Sequence, residues 1–113
     1  MDIQTREVGN VVIFDIDGEI TRPAEATLHQ FVKAELEKGK RNVILNLDRV
    51  GFIDSFGIGE ILASYISIHN LGGHLKLCRI SKKLYIVLQV TGLIKVLEVF
   101  EDCSAALKTF GEP

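Results

Sequence analysis

The sequence predicts a single α/β domain that spans residues 1–113. After residue 24, apolar runs typical of strands alternate with apolar residues at helical spacing, which favours a sheet with parallel segments covered by helices. The chain of 113 residues is long enough for one compact domain and too short for two. Its composition, 47% apolar and 25% charged, is that of an ordinary globular protein.

Five segments have the composition of strands. The uninterrupted apolar run at 42–47 predicts a central buried strand, whereas the alternation at 74–78 predicts a strand with one buried face. Gly9 and Asn10 suit the turn of an opening hairpin between the first two strands. The predicted strands are Ile3–Val8, Val11–Gly18, Asn42–Leu47, His74–Cys78 and Leu97–Phe100.

Four segments have the features of helices. The first is predicted with Thr21 or Arg22 just outside it and Pro23 in its first turn. Ser81 and Asp102 are placed to cap the third and the fourth helix. The first helix is predicted to end before Gly39, the second to run from about Gly57 to Leu71, the third from Lys82 to Val90 with Gly92 after it, and the fourth from Cys103 to Phe110.

Charge and cysteine content exclude several classes of protein. The formal net charge of −2 gives no electrostatic reason to expect nucleic-acid or anionic-membrane binding. Cys78 lies in an apolar pattern and is predicted to be a small buried side chain, and the two cysteines suggest neither a disulfide framework nor a zinc site. We therefore expect a reduced, cytoplasmic protein, with no signal peptide and no apolar run of the roughly 20 residues that a membrane span needs.

The stretch Val50–Leu62 joins the central strand to the second helix and carries the most distinctive residues. An acid and a hydroxyl, Asp54 and Ser55, stand where a helix is predicted to begin, and Gly57 and Gly59 follow. Asp and Ser are both common helix caps, so capping alone explains them in most proteins. A helix start also presents unpaired N–H groups and a favourable field for negative charge, which suits a phosphoryl group on Ser55.

The whole stretch resembles the Asp-Ser-Ser/Thr/Ala-Gly-Leu-Gly signature of bacterial anti-sigma factor antagonists, which are proteins of the STAS-domain family. The resemblance covers nearly the whole chain through four further segments. It implies a small mixed sheet of about four or five strands, with the main helices packed on one side. The further segments are Gly18–Ile20, Asn42–Leu47, Gly72–Cys78 and Thr91–Leu97.

The resemblance implies a partner-switching function without catalysis, metal or cofactor. The unmodified chain would bind an anti-sigma factor that is also a serine kinase and so free the sigma factor. The kinase would phosphorylate Ser55 and release itself, and a separate serine phosphatase would restore the binding form. The protein would act as a monomer or a weak dimer. The implied partner-binding residues are Thr21, Asp54, Phe56, Gly57, Ile58 and Gly59.

Two residues depart from the pattern of the family. Phe56 stands where the family usually has a small residue, and Thr21 stands where it often has Asp. Both positions border the implied partner surface. An alternative interpretation is therefore a scaffold module that binds a partner without being phosphorylated.

Two further interpretations compete. The segment Ile13–Gly18 looks like the first motif of haloacid dehalogenase-type phosphatases, in which Asp15 would be the nucleophile and Asp17 the general acid/base. The chain is short for that fold, no later acidic pair stands out, and Glu19 replaces the expected Thr. The other is a receiver domain phosphorylated on Asp54. Receiver domains have an acidic pair just after their first strand, whereas the acids of this chain follow the second predicted strand.

Overall fold

The five strands lie side by side in the order in which they occur in the chain. A computed structural model describes residues 1–22 and 26–111. The first two strands are antiparallel, and every later strand is parallel to its neighbour, so the predicted mixed α/β sheet is confirmed. The strands are β1 (Asp2–Val8), β2 (Val11–Ile20), β3 (Asn42–Ile53), β4 (His74–Cys78) and β5 (Glu98–Phe100).

The three longer helices cover one face of the sheet, as the resemblance implied. Apolar side chains of these helices join those of one sheet face in a single core. A smaller core on the other face includes Ala106 of the short last helix. In the described residues, no helix combines the length and apolar character needed to cross a membrane. The helices are α1 (Leu28–Glu37), α2 (Ser55–Asn70), α3 (Lys82–Thr91) and α4 (Cys103–Lys108).

The start of α1 differs from the prediction. The residue before the helix is Thr27, whose side chain accepts a bond from the N–H of Gln30, while the Gln30 side chain accepts one from the N–H of Thr27. This reciprocal pair satisfies the first N–H groups, so the helix begins at Leu28 rather than near Arg22. Pro23 lies outside the described residues. The helix ends as predicted, with Gly39 at a φ of +92° just beyond it.

Strands β2 and β3 are both longer than predicted, and their extensions shape the site. β3 pairs with β4 only over Asn42–Asn46, but it pairs with β2 as far as Ile53. The parallel register brings Ile20 beside Ile53, with Gly51 as an extra residue in β3. Glycine and charged residues interrupt the apolar pattern after Leu47, which is why the sequence predicted an earlier end.

Lys76 is buried on the face that α4 covers, although the alternation of β4 predicted a solvent-exposed face. Its side chain donates a hydrogen bond to Thr109, and its Nζ lies 4.1 Å from the ring centroid of Phe110 and 3.9 Å from Oε2 of Glu98. These contacts compensate the ammonium group for the loss of water. The prediction was wrong because α4, a distant segment of the chain, packs over this strand.

Cys78 is buried, as predicted, but it forms a disulfide with Cys103, which the sequence did not suggest. Their Cα atoms lie 5.5 Å apart, within the usual range for such a bond. Cys78 ends β4 and Cys103 begins α4, so the bond joins the short helix to the sheet. Their separation of 25 residues has no recognisable spacing pattern, and only the fold brings the two thiols together.

Reduction of this disulfide is expected to destabilise the protein. Cross-linking two residues 25 positions apart restricts the unfolded chain, and for loops of this size the effect is roughly 2–4 kcal/mol. We expect a thiol reductant to lower the melting temperature by roughly 10 °C. The matched control is the variant with both Cys78→Ser and Cys103→Ser, whose melting temperature should not respond to reductant. An equal response of the two proteins would contradict the prediction.

Candidate functional site

The candidate site lies where the parallel strands β2 and β3 end together. Because Ile20 is the register partner of Ile53, the next residues, Thr21 and Asp54, lie at the same edge of the sheet. Thr21 is half-buried in a bend, and Asp54 leads directly into α2. The structure therefore brings the predicted residue Thr21 to the Asp-Ser segment, as the partner-surface hypothesis requires.

Asp54 is the cap of α2. Its Oδ1 accepts a hydrogen bond of 2.9 Å from the N–H of Gly57, and its backbone is extended. Ser55 is the first residue of the helix and is exposed, and among the side-chain hydrogen bonds of the described residues none involves its hydroxyl. A hydroxyl in this position is accessible to a modifying enzyme and lies at the positive end of a 16-residue helix.

Gly57 and Gly59 have different surroundings. Gly57 is buried, and a Cβ atom placed on it would lie 2.1 Å from the carbonyl oxygen of Ile20 and 2.8 Å from Cγ2 of Ile53. The close approach that Gly57 permits is therefore that of β2 to α2, not that of a partner. Gly59 is exposed, and a Cβ there would have nothing within 4 Å. Of these two glycines, Gly59 is the one that another molecule can approach closely.

Phe56 is half-buried and has a partner that sequence reasoning missed. The guanidinium carbon of Arg22 lies 4.7 Å from the centroid of the Phe56 ring, in the geometry of a cation–π contact. Arg22 is exposed, so the pair forms a rim beside Ser55. The sequence pattern does not predict this contact, because the two residues are 34 positions apart. The contact follows from the register of β2 with β3.

Truncation of Phe56 is expected to reduce partner affinity more than stability. A half-buried aromatic ring can anchor an interface, where truncation costs about 2 kcal/mol or more, or roughly thirtyfold in affinity. We expect Phe56→Ala to weaken partner binding by this amount and to lower the melting temperature by only a few degrees, as measured by titration and thermal unfolding. The matched control is Phe31→Ala on α1, which removes a ring from a residue that is 39% exposed and lies outside the proposed partner surface. A large loss of stability with unchanged affinity would contradict this role.

Ile58 faces a small cleft between α2 and α3. The cleft has a volume of about 90 Å³, and its walls include Phe52 and Ile53 of β3 and Val87 of α3. Phe52 is 47% exposed. The apolar surface around Ser55 thus extends beyond the predicted residues.

Asp15 and Asp17, the residues of the phosphatase hypothesis, lie on the other face of the sheet, away from Ser55. Asp15 accepts bonds from Nε of Arg6 at 2.7 Å and from Nδ2 of Asn46 at 2.8 Å. Asp17 lies 3.7 Å from a guanidinium nitrogen of Arg49. Both carboxylates line one concave polar surface, and each has a nitrogen partner within the chain. Asp15 therefore joins β1, β2 and β3 on this face.

The environment of Asp15 predicts a loss of stability in acid. Partial burial raises the pKa of this carboxyl, but the hydrogen bonds from Arg6 and Asn46 outweigh it, so the pKa lies below its ordinary value. A carboxyl with a depressed pKa stabilises the fold above its unfolded-state pKa, and this contribution is lost as the pH falls through the folded-state value. Asp15→Asn should therefore lower the melting temperature at pH 7, and the difference from the parent should shrink toward pH 3.

The control is Asp48→Asn, which changes an exposed carboxylate on the same polar surface. Its effect on the melting temperature should be small at both pH values. A difference for Asp15→Asn that stays constant from pH 7 to pH 3 would show that lost packing, rather than charge, explains the effect.

Comparisons with known proteins agree with this architecture. The sequence model of the STAS domain matches residues 2–106. The anti-sigma F factor antagonist of Paenibacillus polymyxa is 22% identical over 103 residues, which cover 90% of this chain and 88% of that protein.

Solved structures are also similar. A crystal structure of a candidate anti-sigma factor antagonist from Thermotoga maritima superposes with a TM-score of 0.86 at 28% identity, covering 97% of this chain and 95% of that one. The Bacillus cell fate determinant SpoIIAA in its phosphorylated form has a TM-score of 0.75 at 22% identity, covering 96% of this chain and 99% of that one, and it supports the fold alone. With the family model matching almost the full length, the chain belongs to the STAS domain family.

Proposed function

We propose that this protein is an anti-sigma factor antagonist whose binding to its partner is controlled by phosphorylation of Ser55. The observation that carries the proposal is the exposed hydroxyl of Ser55 at the first position of α2, directly after the capping residue Asp54. The names of similar proteins support the antagonist role, and one similar structure is described as a phosphorylated form. The family assignment favours this function over a dehalogenase-type phosphatase or a receiver domain.

The chemistry would belong to the partners. An anti-sigma factor serine kinase would transfer the γ-phosphoryl group of ATP to Oγ of Ser55, with ADP leaving and the hydroxyl proton passing to the kinase or to water. A serine phosphatase would hydrolyse the ester and restore the hydroxyl. This chain supplies the acceptor and the surface and does not catalyse either step. Asp54 holds the start of α2 in one geometry, so that the hydroxyl is presented in a fixed position.

The partner surface would be formed by exposed and half-buried residues around Ser55. Gly57 supports this surface indirectly, because its lack of a side chain lets α2 pack closely against Ile20. Gly59 gives a partner access to the backbone of the first turns of α2. The residues proposed for direct contact are Thr21, Asp54, Phe56, Ile58 and Gly59.

The deciding experiment is mass spectrometry of the protein purified from its own host. The proposal expects a population carrying one phosphate on Ser55 and none after Ser55→Ala. Ser104 provides an internal comparison, because it also follows an Asp-capped helix start and is exposed, but it lies on the opposite side of the sheet. Phosphate on Ser104 but not on Ser55, or no phosphate under any growth condition, would favour the scaffold alternative.

We propose a cytoplasmic location, because the kinase needs ATP and the sigma factor acts on transcription. Disulfides are rare in that compartment, so the Cys78–Cys103 pair would exist there mainly as two thiols, with Cys78 fully buried. The melting temperature measured in thiol reductant is then that of the dithiol form, which is the form proposed for the cell. The protein is proposed to act as a monomer or weak dimer that binds neither nucleic acid nor membrane.

A further inference from the structure

Strand β3 has an open edge beside the candidate site. Beyond Asn46 it no longer pairs with β4, because β4 ends at Cys78 and the chain turns away at Arg79, which has a φ of +61°. The segment Arg49–Ile53 pairs with β2 on one side, and within residues 1–22 and 26–111 no strand lies on its other side. Backbone groups on an unpaired strand edge are available to an added strand.

The cleft between α2 and α3 lies directly beside this edge. Val50 and Phe52 of β3 form one wall, and Leu84 and Val87 of α3 form the other. Its volume of about 90 Å³ suits one aliphatic side chain, since a cavity of roughly 150 Å³ holds a benzene molecule. An extended segment lying along the edge would direct alternate side chains toward the cleft.

The rim of the cleft carries positive charge that the fold leaves uncompensated. Lys82 and Lys83 are the first two residues of α3, where the helix dipole disfavours cations, and the first turn has no acidic residue. Both are exposed, and neither takes part in an ion pair among the described residues. Lys83 lines the cleft itself. This charge complements an acidic partner and opposes a basic one.

We infer that the open edge Arg49–Ile53 and the adjoining cleft form a second docking site, which takes an extended acidic segment of a partner protein. The segment adds as a strand beside β3, places one aliphatic side chain between Phe52 and Val87, and brings a carboxylate to Lys82 or Lys83. The site adjoins the proposed surface around Ser55 and shares Ile58 with it, but its occupation needs no phosphorylation. Its ligand is defined by backbone hydrogen bonds, one apolar side chain and negative charge.

The test uses two synthetic peptides and the full, unphosphorylated chain. One peptide alternates valine with glutamate, and the other alternates valine with lysine. The inference expects the acidic peptide to bind at least tenfold more tightly at low salt, with the difference declining as salt is added. Binding of the acidic peptide should slow hydrogen–deuterium exchange of backbone amides within residues 49–53.

A charge-reversed variant with Lys82→Glu and Lys83→Glu should prefer the basic peptide. A second variant with Lys95→Glu and Lys108→Glu changes the net charge equally and should keep the preference of the parent. Equal affinity for both peptides, failure of the acidic peptide to bind at millimolar concentration, or protection elsewhere than residues 49–53 would each overturn the inference. Because the purified chain carries no phosphate in this test, its outcome is independent of the proposal for Ser55.

Discussion

Phosphorylation of Ser55 is expected to abolish partner binding while leaving the fold intact. At the start of α2 a dianionic phosphate gains roughly 0.3–1 kcal/mol from the helix dipole and the unpaired N–H groups. Repulsion from the carboxylate of Asp54, the preceding residue, opposes this gain. The net change in the free energy of unfolding should therefore be small, and the melting temperature should move by no more than a few degrees.

The balance is different for a partner packed over Ser55. Binding would remove water from the phosphate, and a buried charge without a matching cation costs several kcal/mol. Since each 1.4 kcal/mol is a factor of ten, affinity should fall by about two orders of magnitude or more. Ser55→Asp should have the same effect more weakly, and Ser55→Ala should bind without regulation.

Thermal unfolding and partner titration on the same samples measure both effects. Ser104→Asp adds a carboxylate near the start of another Asp-capped helix and should leave affinity unchanged. Loss of α2 on phosphorylation, or unchanged affinity of the phosphorylated protein, would contradict the mechanism.

Substitution of Gly57 by alanine is expected to have the largest effect on stability. The added methyl group would lie 2.1 Å from the carbonyl oxygen of Ile20, which belongs to the backbone and cannot rotate away. Either α2 or the end of β2 must move, and we expect a loss of more than about 4 kcal/mol, which for a domain of this size approaches complete unfolding. Urea denaturation measures the loss, with soluble yield as a second measure if the variant does not fold.

Gly59→Ala is the matched control two residues along the same helix. Its methyl group would meet open space, and replacing a helical glycine by alanine stabilises by roughly 0.5–1 kcal/mol. We expect a more stable protein whose partner affinity is lower if Gly59 is contacted as proposed. Similar stability of the two variants would contradict the different surroundings described for these glycines.

Local chemistry predicted those parts of the fold that depend on neighbouring residues. Gly92 follows α3 with a φ of +80°, and Ser81 and Asp102 cap α3 and α4 as expected, because each cap is a contact within three residues. Asp54 likewise caps α2. These interactions leave a signature in sequence because both partners are close in the chain.

The features that were missed depend on distant segments. The extension of β3 to Ile53 requires β2 beside it, and no apolar pattern indicates this. The Arg22–Phe56 contact and the Cys78–Cys103 bond join residues that only the sheet register or helix packing brings together. For the candidate site, the sequence pointed to the segment around Ser55 but could not distinguish buried Gly57 from exposed Gly59.

The order of the strands also bears on how the chain reaches its structure. Each strand pairs with the one before it in sequence, so a pair can form as soon as the intervening turn or helix is complete. The parallel pairs join residues 22 to 33 positions apart, and the entropy cost of closing a loop rises only slowly with its length. Strands can then be added in order from one edge of the sheet to the other, because no strand has to be inserted between two strands that have already paired. Strand β5 would join last, at the edge of the sheet far from the opening hairpin.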